Sequence, residues 1–117
     1  MSPAPVKPVA TIEDLEKLDI RIGTIESVAE VAGSKKLMKL TVNFGDHRRS
    51  ILAGIRQERE TPREIEGRQA LFVVNLAPRK MAGETSEGML LDLGYQDGIV
   101  PVLATPEQPV PDGTRAG

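Results

Sequence analysis

The apolar positions change period along the chain, and each change marks an element. Thr11-Ile12-Glu13-Asp14 sets a hydroxyl at an N-cap and an acid three residues on, and Ile12, Leu15 and Leu18 follow at helical spacing, predicting one short helix ending near Asp19. From Ile20 the period drops to two: Ile20 and Ile22 alternate with Arg21, Gly23-Thr24 intervenes, and the apolar series resumes at Ile25 and Val28. That parity slip predicts a bulge at Gly23 in a long, bent strand. Lys36 to Phe44 alternates cleanly, with Met38, Leu40, Val42 and Phe44 on one face and Lys39, Thr41 and Asn43 on the other. After the Gly45-Asp46 turn, Arg49 to Ala53 reads as its hairpin partner.

Further on, Thr61-Pro62-Arg63-Glu64 predicts a short connecting helix capped by Thr61, with Pro62 at its first position and Gly67 closing it. Gln69 to Leu76, Met89 to Leu91 and Ile99 to Leu103 read as strands. Four prolines between Pro101 and Gly117 predict a tail that lies along an edge without regular pairing. Residues 1–10 are Pro-rich and aperiodic, a flexible leader to a single domain over 11–117. The order matches an all-β fold with short helices: a five-stranded Greek-key OB-fold barrel with an N-terminal helix and a C-terminal strand extension. A generic small β-barrel satisfies the same pattern.

Composition narrows the chemistry. The chain of 117 residues has one histidine and no cysteine, so disulfides, thiol nucleophiles and the usual zinc-ligand sets cannot be assembled, and neither enzyme activity, a metal nor a cofactor is expected. Glu58, Glu60, Glu64 and Glu66 interleave with Arg56, Arg59, Arg63 and Arg68, the pattern of a solvated, salt-bridged surface. His47 falls in a turn and is given no catalytic role. No apolar run approaches a membrane span and no secretory h-region is present, which predicts no membrane association and a cytoplasmic location.

The net charge of −2 conceals an uneven distribution: residues 1–34 carry −3, residues 35–80 carry +6 and residues 81–117 carry −5. A basic block between acidic flanks suggests one face for an anionic polymer. Within it, Arg79 and Lys80 are expected on a loop after a central strand, and Lys35 and Lys36 on the loop before the second strand, where cations can engage phosphates without distorting the sheet. Solvated surface cations are the plain alternative for both pairs. Asn75 and Ser86 offer hydrogen-bonding groups to a base edge or a 2′-hydroxyl, or else stabilise turns. Met81 and Met89 give soft apolar surface to an unstacked base, although a strand methionine such as Met89 belongs as readily to a core. Glu87 could orient Arg79 or Lys80, or accept a proton from a base amine. The two phenylalanines and one tyrosine supply no evident stacking platform, which favours the backbone of a folded RNA over single strands.

Residues 75–89, Asn-Leu-Ala-Pro-Arg-Lys-Met-Ala-Gly-Glu-Thr-Ser-Glu-Gly-Met, resemble the signature of the tRNA-binding domain found at the C-terminus of many methionyl-tRNA synthetases and in freestanding bacterial tRNA-binding proteins. Leu18 to Gly23, Gly33 to Leu37 and Ala53 to Arg56 match supporting blocks in the same order. The resemblance implies an OB-fold, usually a homodimer, that binds the outer corner of tRNA by shape and backbone, in trans with or appended to methionyl-tRNA synthetase. On the matched blocks it puts Lys35, Lys36, Arg56, Asn75, Arg79, Lys80, Met81, Ser86, Glu87 and Met89 at the RNA. The chain is also similar to the related CsaA chaperone in its ending, Pro106 to Thr114, which keeps binding of unfolded polypeptides as the alternative.

Overall fold

The computed structural model describes residues 2–117. Thr11, in extended backbone, accepts a hydrogen bond from the Asp14 amide while the Asp14 carboxylate accepts one from the Thr11 amide. This capping box starts α1 (Ile12–Glu16), which stops at Lys17, earlier than the spacing predicts, and buries none of its residues. Among the described residues nine strands follow: β1 (Ile20–Glu30), β2 (Met38–Asn43), β3 (Arg48–Ala53), β4 (Gln69–Val73), β5 (Arg79–Met81), β6 (Glu84–Ser86), β7 (Met89–Leu90), β8 (Asp92–Leu93) and β9 (Val102–Leu103).

The main sheet is antiparallel in the order β3-β2-β1-β4-β7. β1 is long enough to serve two neighbours, pairing with β4 through Ile20–Thr24 and with β2 through Thr24–Glu30. Its bulge lies at Glu26, where the register slips between Ile25 and Ser27, and not at Gly23. Gly23 answers a different constraint: a Cβ there would stand 2.5 Å from Val42 Cγ1 and 2.8 Å from Phe44 Cε1. Its missing side chain lets β2 cross close to β1 as the sheet curls.

Inside the curl, Ile25, Leu40, Val42, Ile51, Ile65 and Phe72 are wholly buried, and Phe44 meets Phe72 edge to face at 5.6 Å. The alternation of β2 puts its apolar face in this core as its sequence requires. The β3–β4 connection is a 3-10 turn, Pro62–Ile65, and not an α-helix. Thr61 makes no side-chain cap, and a four-residue segment has room only for the tighter turn that drives Ile65 into the core.

The Pro-rich tail lies along an edge. The Gly113 and Ala116 amides donate to the Ile22 and Ile20 carbonyls at 2.8 Å, and the Ile22 amide donates to the Thr114 carbonyl at 2.9 Å. The tail thereby covers the flank of β1 opposite β4. The strand expected over Ile99 to Leu103 shortens to β9, paired with β8 around a 3-10 turn at Tyr95–Asp97. Among the described residues no helix is long and apolar enough to cross a membrane.

Several carboxylates are held below their ordinary range: Asp14 by the Thr11 amide, Asp19 by the Arg21 guanidinium, Glu26 by Arg48 and Glu66 by the Val28 amide beside the bulge. A depressed folded-state value contributes stability above the unfolded value, and that contribution is lost as pH falls through the folded one. Urea midpoints are therefore expected to hold through neutrality and to drop once pH falls below the ordinary carboxylate range. Constant midpoints across that acid range would show that these contacts do not persist in solution.

Candidate nucleic-acid interface

The +6 block sorts into bound and free cations. Lys39, Arg48, Arg56, Arg59 and Arg63 all lie in ion pairs, with Glu84, Glu26, Glu30, Glu64 and Glu66 respectively. Arg49 donates through Nη1 to the Val74 and Glu87 carbonyls, at 2.6 and 3.1 Å, and through Nε to His47 Nε2 at 3.0 Å. Lys35, Lys36, Arg68, Arg79 and Lys80 remain: all are exposed, and none has an ion-pair partner among the described residues. A cation without an internal partner keeps its full field for an external anion.

Arg79 and Lys80 do not sit on a loop. They form β5 of a two-stranded hairpin with β6, in register Arg79↔Ser86, Lys80↔Thr85 and Met81↔Glu84. Its two-residue turn places Ala82 at φ 51° and Gly83 at φ 80°, both left-handed. Neighbours along a strand project to opposite faces, so the two cations diverge. Glu84 pairs with Lys39 of β2 at 3.6 Å and Ser86 is buried against β3, which puts the Arg79 face toward the barrel and the Lys80 face toward solvent. The hairpin thus presents its two charges in two directions.

Ser86, Glu87 and Asn75 hold the fold together. Ser86 is 4% exposed; its hydroxyl accepts from the Leu52 amide and donates to the Gly88 carbonyl, each at 3.0 Å. The Glu87 amide donates to the Ser50 carbonyl at 2.8 Å and its carboxylate accepts from the Ser50 amide at 3.1 Å, so Glu87 orients neither Arg79 nor Lys80. Together these bonds satisfy the outer edge of β3 and close the barrel. The Asn75 side chain donates to the Lys17 carbonyl at 2.7 Å and accepts from the Asp19 amide at 2.8 Å, tying β1's entry to the end of β4. Arg56 donates to the Ser34 carbonyl and pairs with Glu30 at 3.3 Å, so it shapes the loop that carries Lys35 and Lys36.

Met81 is half-buried and Met89 is exposed on β7. Met89 and Lys36 line one cavity of about 420 Å³. The β1–β2 loop and β7 thus flank one cavity, and the Lys39–Glu84 pair links β2 to the hairpin. Sequence reasoning misses Arg68, whose charge reads as part of an ion-paired run until the structure leaves it free. It also misses Tyr95, 71% exposed on the rim of the same cavity.

Comparison with known proteins identifies the family. The family described as "Putative tRNA binding domain" matches residues 20–115. The methionine–tRNA ligase of Archaeoglobus fulgidus is 46% identical over 105 residues and that of Nitrosomonas europaea 38% over 112, matches that take in 90% and 96% of this chain. The chain spans only 16% of the length of each ligase. Among solved structures, a MetRS-related protein from Pyrococcus horikoshii superposes with a TM-score of 0.86 at 33% identity, covering 95% of this chain and all of that one. The chaperone CsaA from Bacillus anthracis superposes at 0.82 and 32%, covering 94% of this chain and all of that one. With the family matched across nearly the whole barrel and its edge-lying tail, the chain belongs to the tRNA-binding domain family.

Proposed function

We propose that this domain binds folded tRNA without catalysis, at the outer corner of the molecule, reading shape and phosphate positions more than sequence. The observation that carries the reading is the sorting of cations: on the hairpin and the β1–β2 loop, Arg79, Lys80, Lys35 and Lys36 have no ion-pair partner among the described residues, while five other cations of the block are neutralised internally. Its setting is the cytoplasm, in trans with or appended to methionyl-tRNA synthetase, a partnership supported by the ligases it resembles. The test is binding to mixed tRNA across a salt series, with unstructured RNA and an unfolded polypeptide as competitors. Tight binding that falls steeply with salt and survives unstructured RNA supports the reading. Displacement by the polypeptide alone would favour the CsaA-like function, for which the exposed Leu93, Ile99, Val100 and Val102 supply apolar surface.

The active form is a homodimer. Ile12 and Leu15 on α1, with Leu18 just after it, form an exposed apolar stripe, a surface that a monomer would leave in water, and two joined basic faces would raise affinity through effective concentration. Leu15→Glu is expected to weaken dimerisation roughly tenfold, by setting a charge in an apolar interface. Sedimentation across a concentration series measures this, and a wild-type chain that stays monomeric throughout would remove the dimer from the mechanism.

A further inference from the structure

The cavity beneath Tyr95 has a composition that phosphate binding does not use. Its apolar floor is Leu52, its sides carry Met89 and the exposed Tyr95, Lys36 stands at the edge, and Glu58 and Asp92 form the charged wall. Among the described residues neither carboxylate joins an ion pair, and Arg59, whose charge acts on both, is engaged by Glu64 at 2.7 Å. Partial burial raises both carboxyl groups above their ordinary range, and the Asp92 charge raises Glu58 further, as expected of two acceptors close to one another on one cavity wall. At about 420 Å³ the space falls within the roughly 300–1,000 Å³ typical of small-ligand sites.

We propose that this cavity takes one unstacked nucleobase bearing an exocyclic amine, cytosine, adenine or guanine, with the phosphate of the same nucleotide on Lys36. Tyr95 and Met89 supply the flat and soft surfaces on which a base stacks, and each carboxylate can accept hydrogen bonds from a base amine. Uracil lacks that amine and would face two carboxylates with carbonyl oxygens. A basic peptide segment would satisfy Glu58 and Asp92 but would be repelled by Lys36, whereas a nucleotide satisfies both signs of charge at once. The inference rests on the tRNA-binding reading and adds to it a single point of base selection.

The full chain is titrated with AMP, CMP, GMP and UMP at constant ionic strength, following the Tyr95 ring and Met89 methyl signals by NMR. The three amine-bearing nucleotides should move these signals with UMP at least about fivefold weaker, and the double variant Glu58→Gln, Asp92→Asn should flatten that preference. Separately, Tyr95→Ala should lower affinity for mixed tRNA about fivefold with no change in salt slope, since it removes stacking and leaves every phosphate neutralised as before. Equal shifts with UMP, or unchanged tRNA affinity in Tyr95→Ala, would overturn the base site while leaving the tRNA reading intact. A lysine-rich peptide moving the signals when nucleotides do not would assign the cavity to a protein segment instead. Failure of wild-type protein to bind tRNA at low salt would strike the underlying reading.

Discussion

Replacing Arg79 and Lys80 together with alanine should reduce affinity for mixed tRNA about thirtyfold near 0.15 M salt, and should do so evenly across tRNA species. Both side chains are exposed and have no ion-pair partner among the described residues, so their removal leaves the packing of the hairpin as it was. Each phosphate that the protein no longer neutralises takes about 0.7 to 0.9 from the slope of log K against log salt, so the double variant should be flatter by roughly 1.4 to 1.8. Because the two side chains diverge across the β-ribbon, each single variant should show about half of that flattening. Lys39→Ala is the matched control: it removes a cation from the same region, but one already paired with Glu84, and should alter the slope much less. Circular dichroism checks that the variants are folded. An unchanged slope in the double variant would move the phosphate site to Lys35, Lys36 or Arg68.

What can be read in the sequence is what local physics decides. The capping box at Thr11 and Asp14 and the alternation from Met38 to Phe44 involve residues a few positions apart, and both stand in the structure as their spacing demands. The two short helices are less legible. Nothing local to Thr61-Pro62 distinguishes an α start from a 3-10 turn, and the choice falls to the geometry that buries Ile65. The parity slip points to Gly23, the most permissive residue, as the bulge. Yet Gly23 is a point of close approach and the extra residue is Glu26, where the Glu66 carboxylate reaches the Val28 amide from 38 positions away.

The site divides the same way. Charge and loop position identify Lys35, Lys36, Arg79 and Lys80 as candidates, and exposure does not contradict them. The hairpin beneath Arg79 is hidden in the sequence because its turn is Ala82-Gly83, with alanine where asparagine or glycine would announce two left-handed residues. Asn75, Ser86 and Glu87 carry polar groups of the kind that read RNA, but their partners, Lys17, Asp19, Leu52 and Ser50, are up to 58 positions distant. A polar side chain in a signature block can serve the ligand or the barrel's closing seam, and only three-dimensional proximity tells which.

Ser86→Ala tests that division directly. The substitution deletes the acceptor for the Leu52 amide and the donor to the Gly88 carbonyl, and it does so at a seam where water has little access. An unsatisfied buried polar group costs about 1–3 kcal/mol, so stripping one donor and one acceptor of their partner should destabilise the fold by about 2–3 kcal/mol, a drop in Tm of roughly 10 °C for a domain of this size. Glu87→Gln next to it should be nearly neutral, since the amide oxygen can still accept from Ser50. Measured well below the lowered Tm, Ser86→Ala should bind tRNA with the salt slope of the wild type, because a hydroxyl shut against Leu52 donates nothing to a phosphate. If affinity falls while thermal stability is unchanged, Ser86 belongs to the RNA interface and the seam opens when tRNA binds. If stability falls alone, this serine is part of the scaffold that holds β5 and β6 against the barrel, and the free cations of the hairpin owe their fixed position to it.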